Sequence, residues 1–119
     1  DAVLTSYVAG ATYHSMHQET LAGILKPWLG EEGQFAFYRQ IAQSSQIYTD
    51  EVEPLYPKIH VPVCLLWGED DQWIPMEKGK QLHRKIKNST LISVSEAGHL
   101  VQEDQPALLV SYILKFMLD

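Results

Sequence analysis

The spacing of apolar residues divides this chain into two halves. In the first half no stretch alternates between apolar and polar residues as a half-buried strand does; the apolar residues recur at intervals of three and four, which is typical of helices. Leu21, Ile24, Leu25 and Trp28 lie on one such face, and Gly30 follows as the expected end of that helix. The first half is therefore predicted to be a set of helices.

Two more helices are predicted before residue 57. One carries an apolar face after an acidic pair that suits a helix N-terminus; the face consists of Phe35, Tyr38, Ile41 and Ala42, and the pair of Glu31 and Glu32. The next helix begins with Thr49 as its N-cap and ends at Tyr56, because Pro57 would interrupt it.

The second half alternates strands with helices. Residues 61–67 are apolar on both faces, which predicts a parallel strand covered by helices on both sides, and residues 90–94 predict a second strand. Residues 75–87 predict an amphipathic helix, and Pro106 begins a terminal helix. This order is typical of a right-handed parallel unit, so we predict an α/β fold with parallel strands and flanking helices.

Composition and charge exclude several classes of function. With 45% hydrophobic and 20% charged residues over 119 positions, the chain has the balance of an ordinary globular protein. The formal charge is −6 and the basic residues are scattered, so nucleic acid is not an expected partner, and no apolar run is long enough to span a membrane. We predict a cytoplasmic protein that binds a small molecule. The single cysteine, Cys64, is interpreted as a buried strand thiol.

Two predicted strands are followed by loops that carry residues suited to catalysis. Asp71 lies in the first loop, and His99 lies in the second loop behind Ala97 and Gly98. Parallel strands end at the same edge of a sheet, so an acid and a histidine would meet there in the chain order of a nucleophile–acid–histidine triad. Asp71 would accept a hydrogen bond from the imidazole Nδ1–H, with Glu69 and Asp70 as close rivals. Spacing alone leaves open that Asp71 only caps a turn and that His99 is an ordinary structural histidine.

Aromatic residues suggest where a substrate would bind. Trp73 follows the acid loop and is predicted to border the mouth of the site as a substrate-binding residue. In the helical half, Phe35, Phe37 and Tyr38 either line a substrate cavity or hold the helices together. These two alternatives are equally compatible with the sequence.

Two further kinds of site find no support in the sequence. His14 and His17 lie three residues apart, but they have no third ligand nearby, so no metal site and no cofactor are predicted. A nucleophile elbow is absent as well, because none of the serines has glycines two residues away on both sides, and neither Asp nor Cys replaces Ser in such a motif.

The loop residues resemble those of the α/β-hydrolase fold family. Residues 61–75 (VPVCLLWGEDDQWIP), then Ser95-Glu96-Ala97-Gly98-His99 and residues 102–106 (QEDQP), are similar to the C-terminal third of such enzymes. In that family W-G-x-x-D-x-x-x-P places the triad acid and a Gly-His pair supplies the histidine. The resemblance implies that Asp71 and His99 fill these two roles. It also implies a helical cap over residues 1–56 and the C-terminal part of the hydrolase core over residues 57–119.

The resemblance implies a function that this chain does not carry alone. The nucleophile elbow, the oxyanion-hole loop and the earlier strands would lie outside these residues, so the chain is expected to be a fragment of a cofactor-free hydrolase, inactive by itself. The expected substrate is a small ester-like molecule; an Asp nucleophile would indicate a dehalogenase or epoxide hydrolase, and a non-catalytic interaction module is the alternative from another class. The open edge of the strand over residues 63–67 predicts self-association.

Overall fold

The computed structural model describes residues 2–118; residues 1 and 119, at the outer ends of the two predicted segments, lie outside that description. The helices, labelled α1 to α7 in chain order, are Ala2–Ala9, Gln18–Leu25, Gly30–Ala42, Ile47–Val52, Met76–Lys85, Val101–Asp104 and Pro106–Leu118. The strands are β1 (Val63–Gly68) and β2 (Ser89–Val94), and two 3-10 helices span Lys26–Trp28 and Glu53–Lys58. The described part of the first half is helical, as predicted.

The two strands form a parallel pair, which confirms the predicted α/β class. They are in register along their whole length, so that Gly68 at the end of β1 lies opposite Val94 at the end of β2. Pairing begins where the Val63 N–H donates to the Asn88 carbonyl oxygen at 2.9 Å. The preceding Pro62 has no N–H to donate, which explains why β1 begins two residues later than the apolar run.

The helical half is held together by one cluster of apolar side chains. Leu4, Val8 and Leu25 are buried, and the side chains packed around them are Met16, Leu21, Ile24, Trp28 and Phe37. The predicted face of α2 is therefore confirmed. The chain leaves α2 at Leu25 and continues as a 3-10 turn towards Gly30, whose φ of 75° lies in the left-handed region and marks the junction with α3.

The predicted apolar face of α3 is wrong. Phe35, Tyr38 and Ile41 are 68%, 63% and 51% exposed, and α3 instead buries Gly33 and packs Phe37 against the cluster. A Cβ at Gly33 would lie 2.6 Å from a carbonyl oxygen of the preceding turn, so only glycine lets α3 approach this closely. This contact sets the rotation of α3 about its axis. It cannot be inferred from the spacing of apolar residues in the sequence.

The helix predicted to begin at Thr49 is also placed wrongly. α4 begins at Ile47, so Thr49 lies inside the helix and does not cap it. The α-helical hydrogen bonds of α4 end before Pro54, which has no N–H. The 3-10 helix that follows continues through Pro57. The boundary proposed between residues 56 and 57 falls inside this 3-10 helix, and the division into two segments stays a prediction.

A second, smaller core lies in the strand half. Val94, Ala97 and Val101 are buried and Leu66 packs against them. Trp67 is half-buried and its ring lies against Gly79 of α5, where a Cβ would come within 2.8 Å of Trp67 Cδ2.

The helix between the strands is shorter than predicted. α5 ends at Lys85, and Ile86 takes an extended backbone with φ −99° and ψ 98°. Because Ile86 is only 5% exposed, the chain leaves the helix at a residue whose side chain is packed into the protein. β2 then begins at Ser89, one residue before the predicted start.

A wide apolar surface remains open around β1 and α7. No residue of α7 is buried, and its most exposed apolar residues are Val110, Leu114, Met117 and Leu118. Within residues 2–118, β1 pairs only with β2, and its residues before Gly68 are half-buried, so the predicted cover on both faces is incomplete. Cys64 is accordingly half-buried, not buried, and lines a cavity of about 180 Å³ together with side chains of α7. Across the described residues, no helix is both long enough and apolar enough to cross a bilayer.

Replacing Gly79 by alanine is expected to destabilise the protein. Alanine favours a helix over glycine by about 1 kcal/mol, but the added Cβ would meet the Trp67 ring at 2.8 Å. Gly23 in α2 has no such neighbour within 4 Å, so Gly23→Ala is the matched control and should stabilise by about 0.5–1 kcal/mol. Urea unfolding followed by circular dichroism compares the free energies of unfolding of the two variants. An equal increase in both would contradict the close contact between Gly79 and the Trp67 ring.

We propose that the chain on its own self-associates through the open edge of β1 and the apolar side of α7. Light scattering should give a mass above 13.5 kDa that rises with concentration. Leu114, which is 54% exposed on α7, supplies the test: Leu114→Glu should weaken association, whereas Phe35→Glu, at an exposed position of α3, should not. A monodisperse monomer at high concentration would contradict the proposal.

Candidate functional site

His99 and Asp71 form a hydrogen-bonded pair beyond the ends of the two strands. His99 Nδ1 lies 2.9 Å from Asp71 Oδ2, which is the contact expected from the sequence. The Asp71 side chain is 6% exposed and that of His99 is 31% exposed, so the acid is shielded while the imidazole remains accessible. An ionised carboxylate only accepts hydrogen bonds, so Nδ1 carries a proton and Nε2 of the neutral ring is left as an acceptor.

The loop after β1 holds the Asp71 carboxylate in one orientation. Oδ1 accepts the backbone N–H groups of Trp73 at 2.9 Å and Ile74 at 2.8 Å. The Ile74 carbonyl in turn accepts the indole N–H of Trp67 at 3.0 Å, which ties the loop back to β1. Asp71 therefore caps its turn with one oxygen and contacts His99 with the other, so capping the turn does not prevent the contact with the histidine.

The loops that carry the pair are in direct backbone contact. A Cβ at Gly68 would lie 2.2 Å from the Gly98 carbonyl oxygen and 2.4 Å from that of Ala97. The Asp70 N–H donates to the same Ala97 carbonyl at 2.9 Å. Because Gly68 has no side chain, the two loops meet as one hydrogen-bonded unit.

The turn before His99 brings the histidine back towards the β1 loop. Glu96 has a φ of 53°, which few residues other than glycine adopt, and its carbonyl accepts a hydrogen bond from Gln105 Nε2 at 3.3 Å. The next residue, Ala97, is completely buried. The left-handed residue therefore reverses the chain tightly enough to place His99 beside Asp71.

The rival acids lie elsewhere. Glu69 is exposed and joins the site only through its backbone N–H, which donates to the Val94 carbonyl at 3.0 Å. Asp70 likewise contributes its backbone, as described above. The carboxylate in contact with the imidazole is that of Asp71.

Trp73 lies against the histidine ring. The centroids of Trp73 and His99 are 4.8 Å apart with an angle of 36° between the planes, and Tyr7 of α1 stacks on Trp73 at 4.3 Å. The cavity of about 160 Å³ beside the pair is lined by Leu66, Trp67, Gly68, Asp71, Ile74, His99 and Val101. Trp73 thus packs beside the imidazole without lining this cavity, and its role in substrate binding stays a prediction.

The aromatic residues of the helical half divide into two groups. A cavity of about 530 Å³ is lined by Tyr7, Val8, Trp28, Phe37, Gln40, Ile41, Gln43 and Ser44. Phe37 lines it and also packs edge-on against Trp28 at 5.7 Å and Tyr7 at 6.0 Å, so it holds the helices together, and its part in a substrate cavity stays a prediction. Phe35 and Tyr38 do not line this cavity and are exposed.

Sequence reasoning missed Asp104 as part of this region. Its carboxylate accepts the N–H of Gly98, the residue before His99, at 2.8 Å. It also accepts the N–H groups of Tyr13 at 2.8 Å and His14 at 2.9 Å. Asp104 belongs to the QEDQP run, but nothing in the spacing separates it from its neighbour Glu103.

The two histidines considered as metal ligands have other contacts. His17 Nδ1 accepts the Glu19 N–H at 3.4 Å and so caps α2, and the His14 ring packs edge-on against Tyr13 at 4.9 Å. Among residues 2–118 no group of three or more His, Cys, Asp and Glu is placed to hold a metal ion.

The parallel strands and the acid–histidine pair at their ends define an α/β protein with the arrangement of hydrolytic enzymes. The family model described as alpha/beta hydrolase fold matches residues 11–106. The chain belongs to the α/β-hydrolase fold family.

Solved and curated relatives are hydrolases or hydrolase-fold proteins. An alpha/beta hydrolase fold protein from Burkholderia ambifaria superposes with a TM-score of 0.91 at 44% identity, covering 96% of this chain and 42% of that one. The uncharacterized hydrolase YugF of Bacillus subtilis is 33% identical over 101 residues, which are 84% of this chain and 36% of that protein. The bifunctional esterase/perhydrolase DCH of Acinetobacter calcoaceticus is 46% identical over 68 residues, or 56% of this chain and 24% of that protein. This chain therefore spans less than half the length of each.

Replacing Asp71 by asparagine is expected to move the ring proton of His99. The asparagine oxygen would still be needed by the Trp73 and Ile74 N–H groups, so its NH₂ group would face Nδ1 and the neutral ring would protonate at Nε2 instead. Long-range ¹H–¹⁵N correlation spectra of the His99 ring measure the tautomer directly.

The control for this experiment is Asp70→Asn, which removes the neighbouring carboxylate without touching the histidine contact. It should leave the His99 ring spectrum unchanged. A proton that remains on Nδ1 in Asp71→Asn would show that another group orients the ring.

Proposed function

We propose that His99 and Asp71 are the base and the acid of a nucleophile–histidine–acid triad in a hydrolase that acts on a small ester-like substrate. The observation that carries the proposal is the hydrogen bond of 2.9 Å between His99 Nδ1 and the shielded Asp71 carboxylate. Membership of the α/β-hydrolase fold family supports a hydrolytic reaction, and the histidine–acid geometry supports these two residues as its proton-transfer machinery.

In this proposal His99 Nε2 takes the proton of the nucleophile and later gives it to the leaving group. Asp71 keeps the ring in the tautomer that leaves Nε2 free, and its negative charge stabilises the imidazolium that forms. Shielding strengthens this effect, because the Asp71 side chain is only 6% exposed and its charge acts on the imidazole through little water.

The nucleophile in this proposal comes from outside the 119 residues, either from an upstream part of the same polypeptide or from a partner chain. The residues that line the cavity beside His99 include no Ser, Thr or Cys. A serine nucleophile is the first choice because the relative from Acinetobacter calcoaceticus is named an esterase. The sheet edge at β1 is where further parallel strands, with a nucleophile at the end of one of them, would pair.

The chain alone is expected to hydrolyse p-nitrophenyl butyrate no faster than buffer, because its sequence contains no nucleophile elbow and the cavity beside His99 is lined by no Ser, Thr or Cys. The polypeptide that joins it to its upstream coding region is expected to turn the ester over. In that polypeptide, His99→Ala and Asp71→Asn should each lower kcat by about 10⁴-fold or more. Turnover by the chain alone that His99→Ala abolishes would contradict the proposal.

The matched control is His83→Ala. His83 is exposed and its ring contacts Ser89 Oγ at 2.8 Å. Ser89 is the first residue of β2, at the opposite end of the strand from the pair, so the loss of His83 should leave kcat within about twofold.

A fluorophosphonate probe separates the remaining outcomes. Labelling that depends on His99 supports the serine hydrolase. A joined polypeptide that resists the probe but opens epoxides or removes halide would have an Asp nucleophile, and one that does neither would be a non-catalytic interaction module.

A further inference from the structure

Asp104 occupies a position that its local sequence does not explain. It is the last residue of the four-residue helix α6, next to Glu103, whose side chain is exposed. The Asp104 carboxylate is partly buried and makes three hydrogen bonds, each to a backbone N–H outside its own helix and outside α7. Within residues 2–118 no ion pair accompanies these three N–H donors, so the Asp104 carboxylate acts as a bridge between backbone segments.

The three donors belong to two distant parts of the chain. Oδ2 accepts the N–H of Gly98 and that of Tyr13, both at 2.8 Å, and Oδ1 accepts that of His14 at 2.9 Å. The histidine loop is thereby fastened to the segment that follows α1. Hydrogen bonds to a charged acceptor are stronger than those between neutral groups, so this bridge resists separation of the two segments.

The same segment also holds the other side of His99. The Leu100 N–H donates to the Ala11 carbonyl oxygen at 2.9 Å, and a Cβ at Gly98 would lie 2.8 Å from that oxygen. The chain is therefore held on both sides of His99, at the Gly98 N–H by Asp104 and at the Leu100 N–H by Ala11. These two hydrogen bonds restrain the backbone from which the imidazole reaches Asp71.

We propose that Asp104 is a positioning residue for His99: its carboxylate holds the Gly98 peptide against residues 11–14 and so sets the direction in which His99 Nε2 faces the nucleophile. This inference rests on the proposed function, because the direction of Nε2 matters only if His99 transfers a proton. It assigns to the segment after α1 a part in the site that neither the loop motifs nor the His99–Asp71 contact reveals.

The test replaces Asp104 by asparagine in this chain and compares it with Glu103→Gln, which removes a neighbouring exposed carboxylate. An asparagine side chain has one acceptor oxygen and an NH₂ group that would face an N–H donor, so it cannot accept all three hydrogen bonds. In Asp104→Asn we expect the amide protons of Gly98, Tyr13 and His14 to exchange with water at least about tenfold faster. The Glu103→Gln variant should keep the wild-type rates.

The decisive measurement is the exchange rate of the His99 Nδ1 proton, which would stay the same if Asp104 only joined two backbone segments. In Asp104→Asn the His99 Nδ1 proton should exchange at least about tenfold faster, while the amides of β1 stay protected as evidence of folding. Faster exchange at the three amides with an unchanged His99 ring signal would overturn the proposal. If Asp104→Asn does not fold, Asp104→Glu keeps the charge but displaces the oxygens by one methylene, and the same two readings apply.

Kinetics of the polypeptide that includes the upstream region complete the test. Asp104→Asn should lower kcat more than tenfold with KM within about twofold, because the ring is misdirected but the substrate cavity is intact. An unchanged kcat would overturn the proposal. If the wild-type polypeptide does not turn over esters, the proposed function fails, and the His99 ring signal still decides whether Asp104 positions the histidine.

Discussion

The contact between the backbones at Gly68 and Gly98 is the constraint on which the site depends. Two parallel strands in register bring their ends to the same edge, but they do not by themselves bring the following loops into contact. The missing side chain at Gly68 allows this, because a Cβ there would lie 2.2 Å from the Gly98 carbonyl oxygen. A side chain at residue 68 would separate the two loops and lengthen the hydrogen bond between His99 and Asp71 beyond its normal range.

The parts of the site that the sequence could predict are those that depend on neighbours in the chain. Asp71 and His99 each follow an apolar run by a few residues, so the strand ends and the loop motifs were enough to pair them. Trp73 was placed near the site for the same reason. The start of β1 and the end of α4 were less predictable, because they depend on where prolines leave the backbone without an N–H donor.

The parts that could not be predicted depend on contacts between different elements of structure. The rotation of α3 follows from the fit of Gly33 against the preceding turn, which made the regular face of Phe35, Tyr38 and Ile41 point to solvent. Asp104 lies in a polar run beside another acid, yet two of its three partners lie 90 and 91 residues earlier. Spacing rules describe faces of single elements, and these features belong to pairs of elements.

The bridge at Asp104 also has a consequence for the order in which the molecule assembles. The strands, α5 and the histidine loop lie within one continuous stretch and can form early, because their contacts close short loops. The support of His99 by residues 11–14 closes a loop of about ninety residues and costs correspondingly more chain entropy. A nascent or partly unfolded chain can therefore contain both Asp71 and His99 without holding them in working order. In the proposed function, proton transfer by His99 would therefore depend on this long-range contact as well as on the local contact with Asp71.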